Sequence, residues 1–169
     1  MIKISSRTGL AIVITVLCST SGPLSACSIV PLLEAFEANH TEAIAPVTPN
    51  FKVAGIKRGS DDGNLGSCSD FGFIIFKLSG SYPPQGYIFE RVSGEFEDRL
   101  FEPVAVMPSQ FIDDNSSFTF VWLDGSSNEQ EPINITVSIV AVNQAGERSK
   151  AQFLELRHPY NTLPWWRFW

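Results

Sequence analysis

Positive charge, histidine and cysteine are all scarce in this chain, and each scarcity removes a class of function. Twelve Lys and Arg face eighteen Asp and Glu in 169 residues, a formal net charge of −6. Nucleic-acid binding rests on clustered cations that displace counterions from phosphate, and here the twelve are scattered. Nucleic acid is therefore not an expected partner. The two histidines, His40 and His158, lie far apart, whereas zinc wants roughly four closely placed ligands. No metal or other cofactor is expected. Long hydrophobic runs are also missing: the sustained apolar stretch Gly9 to Cys18 is about half of the roughly 20 residues that a bilayer-spanning helix needs. What the chain does hold is apolar mass, 44% of its residues, with 13 Phe, 4 Trp and 3 Tyr. That suffices to order a core, in a chain long enough for one domain and too short for two of ordinary size.

The amino-terminal 26 residues have three parts. Lys3 and Arg7 precede the apolar stretch "GLAIVITVLC", which gives way to the small and polar "STSGPLSA". That order describes a secretory signal. Leu24, Ser25, Ala26 and Cys27 then resemble the lipobox of bacterial lipoproteins, a branched apolar residue and two small ones before a cysteine. The resemblance implies that the Cys27 sulfur receives a diacylglyceryl group, that a peptidase cuts before it, and that the new amino terminus is acylated. It also implies a sorting rule, in which Asp after the cysteine retains a protein at the inner membrane. Here that residue is Ser28, so outer-membrane attachment is the default. Several acyl chains hold firmly where one binds only reversibly. Ordinary signal cleavage is the alternative, and it leaves Cys27 free to form a disulfide with Cys68.

Residues 27–50 read as a tether. They show no sustained period, carry Pro31, Pro46 and Pro49, and leave room for only a short helical turn near Leu32 to Ala38. From Phe51 to residue 157, β-branched and aromatic runs alternate with turn clusters. Strands are expected over 51–57, 71–79, 87–93, 100–106, 117–123, 133–143 and 149–156. The clearest puts Ile133, Ile135, Val137, Ile139 and Ala141 on one face. Pro103 marks the run 100–106 as an edge, because proline cannot donate to a ladder. The expectation is an all-β fold, an antiparallel immunoglobulin-like (fibronectin type III-like) β-sandwich of about seven strands. The stretch "ITVSIVAVNQAGERS" resembles the last two strands and connecting turn of a fibronectin type III domain, with Gly146 at the turn and Ile135 where that family has tyrosine.

Chemistry is harder to find. His40 falls in the tether and His158 just past the last strand, so neither suits a catalytic triad. The stretch "GSDDGNLGSCSD", with Asp61, Asp62, Asn64 and Asp70, offers oxygen ligands without the regular spacing of a calcium loop, and is expected as a solvated turn. Glu95, Glu97, Asp98 and Glu102 are the acids an envelope hydrolase acting on glycan or peptide would use; a charged strand edge that blocks aggregation is the plainer reading. Sequons at Asn39, Asn115 and Asn134 carry no weight beside a bacterial lipobox. The terminus 158–169 is unusual, with Trp165, Trp166, Phe168 and Trp169 within five residues. Such rings fold back on the sandwich, bind an envelope protein or glycan, or dip into the membrane interface, where tryptophan is favoured. The sequence as a whole suggests a non-enzymatic, membrane-anchored lipoprotein presenting a binding or scaffolding domain.

Overall fold

A computed structural model of the chain describes residues 32–39, 44–60, 62–64, 67–96, 99–109, 115–125, 129–159 and 161–162. Ten strands occur among them: β1 (Leu33–Ala35), β2 (Phe51–Lys57), β3 (Phe71–Leu78), β4 (Gly86–Glu95), β5 (Val106–Pro108), β6 (Ser117–Leu123), β7 (Glu129–Gln130), β8 (Ile133–Val142), β9 (Gln152–His158) and β10 (Asn161–Thr162). One sheet has the order β1-β5-β4-β8-β9 and a second the order β2-β3-β6, with β7 and β10 forming a separate short ladder. All named pairs are antiparallel. Among the described residues the only helical element is a 3-10 turn at Cys68–Asp70. The protein is an antiparallel β-sandwich, and its strand order is compatible with the immunoglobulin-like arrangement.

The alternation read from β8 is the axis of the fold. Ile133, Ile135, Val137, Ile139 and Ala141 are all buried, and β8 pairs with β4 on one side and β9 on the other. Facing it across the core are Ile74 and Phe76 of β3, with Phe118 and Trp122 of β6. Seven rings, Phe51, Phe76, Tyr87, Phe89, Phe101, Phe118 and Phe120, interlock mainly edge to face or tilted at centroid distances of 4.8–6.2 Å. That geometry sets the positive edge of one ring against the negative face of the next.

Three elements differ from the sequence reading. Residues 32–36 are part of the sandwich and not of a spacer: β1 pairs with β5, and the Phe36 N–H donates to the Ala105 carbonyl at 2.8 Å. The ring of Phe36 occupies the space a side chain at Gly86 would need, since a β-carbon there would sit 2.5 Å from it. The segment is extended where a helical turn had been conceivable, because its partner is a sheet edge. Residues 100–105 form no strand, although they carry strand-forming side chains; Phe101 turns into the core and Pro103 can donate nothing. Pairing starts only at Val106. Third, the boundary at 158 falls inside paired structure, since β9 runs to His158 and Asn161–Thr162 pairs with β7.

Two side-chain amides close what strands alone leave open. Gln152 of β9 accepts from the Phe51 N–H at 2.7 Å and donates to the Phe51 carbonyl at 2.8 Å, so one amide joins the two sheets as a ladder rung would. Asn143, 3% exposed, organises the turn after β8 by accepting from the N–H groups of Ala145 and Glu147 and donating to the Ile44 carbonyl. Gly146 takes φ +82° there, as expected for the turn position, because other side chains rarely adopt that conformation.

Candidate functional site

The residues singled out from sequence are dispersed. Cys27, the rings Trp165, Trp166, Phe168 and Trp169, and Glu97, Asp98, His40 and Asp61 lie outside the described residues. Glu95 ends β4 on the surface, and Glu102 sits in the following connection, where it pairs with Arg99 at 2.8 Å with both side chains more than 60% exposed. A pocket of about 410 Å³ near them is lined by Glu90, Arg91, Arg99 and the apolar Leu100, Phe101 and Pro103. A general acid works best in a desolvated site, and an exposed carboxylate held by arginine has the opposite environment. His158 is a surface side chain beside its neighbour's carbonyl, with Nδ1 3.0 Å from the Pro159 oxygen.

Within the acidic loop Asp62 is held by its neighbours. Asp62 accepts from the Ser67 and Ser69 hydroxyls at 3.0 and 2.7 Å and from the Asn64 N–H at 2.9 Å. These bonds, that of Ser69 foremost, hold its carboxyl below the ordinary carboxylate range. Asp70 accepts from the Ser67 N–H in a capping box on the 3-10 turn. Among the described residues no group of three or more His, Cys, Asp or Glu is placed to hold a metal ion. Cys68, inside this turn, is disulfide-bonded; the chain's other cysteines, Cys18 and Cys27, lie outside the described residues.

Next to that loop a buried ion pair ties three connections together. Arg58 donates through Nε and Nη2 to both Asp124 oxygens at 2.8 Å and through Nη1 to the Glu131 carbonyl at 2.6 Å. Gln130 Nε2 donates to the Gly59 carbonyl at 2.7 Å. The Arg58 and Asp124 side chains are each 3% exposed. These bonds tie the connections after β2, β6 and β7 to one another.

A second, larger concavity is a groove of about 980 Å³ at one end of the sandwich, where β3 ends and β4 and β6 begin. The connection "SGSYPPQG" supplies Tyr82, Pro83, Pro84 and Gln85, and Tyr87 and Phe118 add the rings of its floor. Glu34 of β1 is the only charged side chain among the described lining residues. Gln85 Nε2 donates to the Tyr87 hydroxyl at 2.7 Å, while its Oε1 is buried without a hydrogen-bond partner. Burial is the main cause that pushes the Tyr87 phenol up to about 12, against a smaller opposing effect of the Gln85 bond. In the sequence this connection is one of the turn clusters between strands; a tyrosine, two prolines and a glutamine together are the only signal of something more.

The raised phenol gives a pH prediction. Below pH 10 both the folded and the unfolded chain keep the Tyr87 proton, and its contribution to stability is complete. Between pH 10 and about 12 the unfolded chain releases that proton and the folded chain does not, so stability falls as pH rises. The expected loss across this window is about 2 kcal/mol, near the limit set by a shift of this size. Urea denaturation at both ends of the window should show a smaller loss for Tyr87→Phe than for the parent. Equal losses would refute the assignment.

No family model matches the chain, and neither a curated protein nor a solved structure does so.

Proposed function

We propose that this chain is an exported bacterial lipoprotein, held by lipid on Cys27 and presenting its sandwich as a binding or scaffolding surface in the cell envelope. The observation that carries the reading is the order of Lys3 and Arg7, the apolar run 9–18 and then Leu24-Ser25-Ala26-Cys27. With Ser28 after the cysteine, the outer membrane is the proposed site of attachment. The acidic composition supports an anchor made of lipid and not of charge, since an anionic leaflet repels such a body. The sheet order, with the Asn143 to Gly146 turn after β8, supports a divergent fibronectin type III-like domain as the presenting module. Trp165, Trp166, Phe168 and Trp169 are proposed as an additional partner-binding surface.

A specific observation favours a second reading. Cys68 is disulfide-bonded, and processing before Cys27 would remove Cys18 and convert the Cys27 sulfur to a thioether. One sulfur cannot be both thioether and disulfide. An exported, unlipidated protein with a Cys27 to Cys68 bridge is therefore the rival.

Intact mass of the mature protein from membranes, with and without reductant, separates the two. The lipoprotein reading expects the mass of residues 27–169 plus acyl groups, unchanged by reductant, and loss of membrane retention in Cys27→Ser. A soluble species that gains two hydrogens on reduction would overturn it.

A further inference from the structure

We infer that the groove beside Tyr82 is a binding site for a neutral, hydroxyl-rich glycan segment. The inference rests on the reading of the sandwich as a binding module, and it names the ligand class and the residues that recognise it.

The first argument is an unmet hydrogen bond. Gln85 is 7% exposed, lines the groove, and has its Oε1 buried with no partner. Buried polar groups are almost always satisfied, and one that is not calls for a partner beyond the protein's own groups. Reversing the amide moves the unmet bond to Nε2 without removing it, because the Tyr87 hydroxyl can serve either end as donor or acceptor. A ligand hydroxyl, itself donor and acceptor, satisfies Gln85 in both orientations. A carboxylate or an ammonium satisfies only one.

The second argument is the stacking surface. The Tyr82 ring lies close over Gly80, where a β-carbon would be 3.3 Å from it, and Pro83 and Pro84 follow with their fixed φ. The ring is half-buried. It is thereby held as a firm, partly wet aromatic face, and the apolar C–H face of a pyranose packs on such a face while its hydroxyls reach polar groups at the edge.

Charge and size narrow the class. With Glu34 the only charged side chain among the described lining residues, and no cation beside it, phosphate, sulfate or uronate finds no counter-charge. A volume of about 980 Å³ accommodates several sugar rings, at the upper end for small-ligand sites. An extended peptide, whose N–H and C=O can also meet Gln85 in either orientation but which lacks a flat C–H face for Tyr82, is made the rival in the test.

The test titrates the purified full chain with maltotetraose, cellotetraose and tetra-N-acetylchitotetraose by isothermal calorimetry, with a proline-rich decapeptide as the competing probe. Saturable binding of at least one sugar is expected, weakened about tenfold or more by Tyr82→Ala at unchanged melting temperature. Gln85→Leu should weaken it similarly; should that variant fail to fold, Tyr82→Ala at the rim still decides. No saturable binding of any of the three sugars up to about 10 mM, equal binding by Tyr82→Ala, or binding of the peptide alone overturns the inference. Membrane retention of the same chain is scored separately. Its loss with sugar binding intact removes the anchor and leaves the groove, and the converse removes the groove alone.

Discussion

Replacing Asp124 by alanine should lower the unfolding free energy by about 3–5 kcal/mol, because it strands the charge of Arg58 in a site that water does not reach. Asp124 accepts from two Arg58 nitrogens and from the Gly59 N–H at 2.6 Å, so a single truncation leaves three donors short of their carboxylate. The cationic head would retain the Glu131 carbonyl and the face of Phe96, 5.7 Å away, which do not neutralise it. The companion experiment gives the prediction its edge. Replacing both partners, Arg58→Met with Asp124→Leu, removes the stranded charge and should recover much of the loss, whereas Glu155→Ala, which breaks the exposed pair with Arg157, should stay within about 0.5 kcal/mol. Urea midpoints at constant slope read all three. A single mutant indistinguishable from Glu155→Ala would show that the buried pair carries no more weight than a surface one.

Phe89→Ala should cost a similar amount, about 3–5 kcal/mol, by a different route. Phe89 is 1% exposed and touches the rings of Phe51, Phe76, Phe101, Phe118 and Phe120. It stands on β4 while Phe51, Phe76, Phe118 and Phe120 come from the opposite sheet, so the void opens between the layers, where neighbours anchored in two ladders cannot close it. Phe89→Leu keeps most of the volume and should cost less than half as much. Equal losses for leucine and alanine would mean that ring geometry, and not filled volume, sets the penalty.

How far the fold could be read in advance depended on whether each segment's partner was written into the segment. Strands 51–57 and 117–123 were legible because their own β-branched and aromatic side chains select a pleated, half-buried surface. The buried face of β8 was legible because alternation is a local signal. β1 was not: Leu33–Ala35 has no alternation, and it is ordered by the edge of β5 and by the space left at Gly86. The run 100–106 misled in the opposite direction, since Phe101 plugs the core while Val104 stays exposed. Gln152 and Phe51 are 101 residues apart, and Arg58 and Asp124 are 66 apart, so neither contact leaves a trace in any local window. The groove was hidden for the same reason. Its recognition group is one amide in a stretch that obeys every rule for a turn, and only the approach of β1, β5 and β6 turns that stretch into a wall.

The pairing of β1 with the sheet edge also sets a leash. If lipid sits on Cys27, only four residues separate it from Leu32, where hydrogen bonding to the domain begins at the Ser109 N–H. Fully drawn out, the five steps from Cys27 to Leu32 reach about 18 Å. On that proposal the sandwich would be moored beside the bilayer with little freedom to swing, its β1 and β5 flank nearest the anchor. A protein anchored in that way would survey a thin shell beside the membrane and would not reach across it.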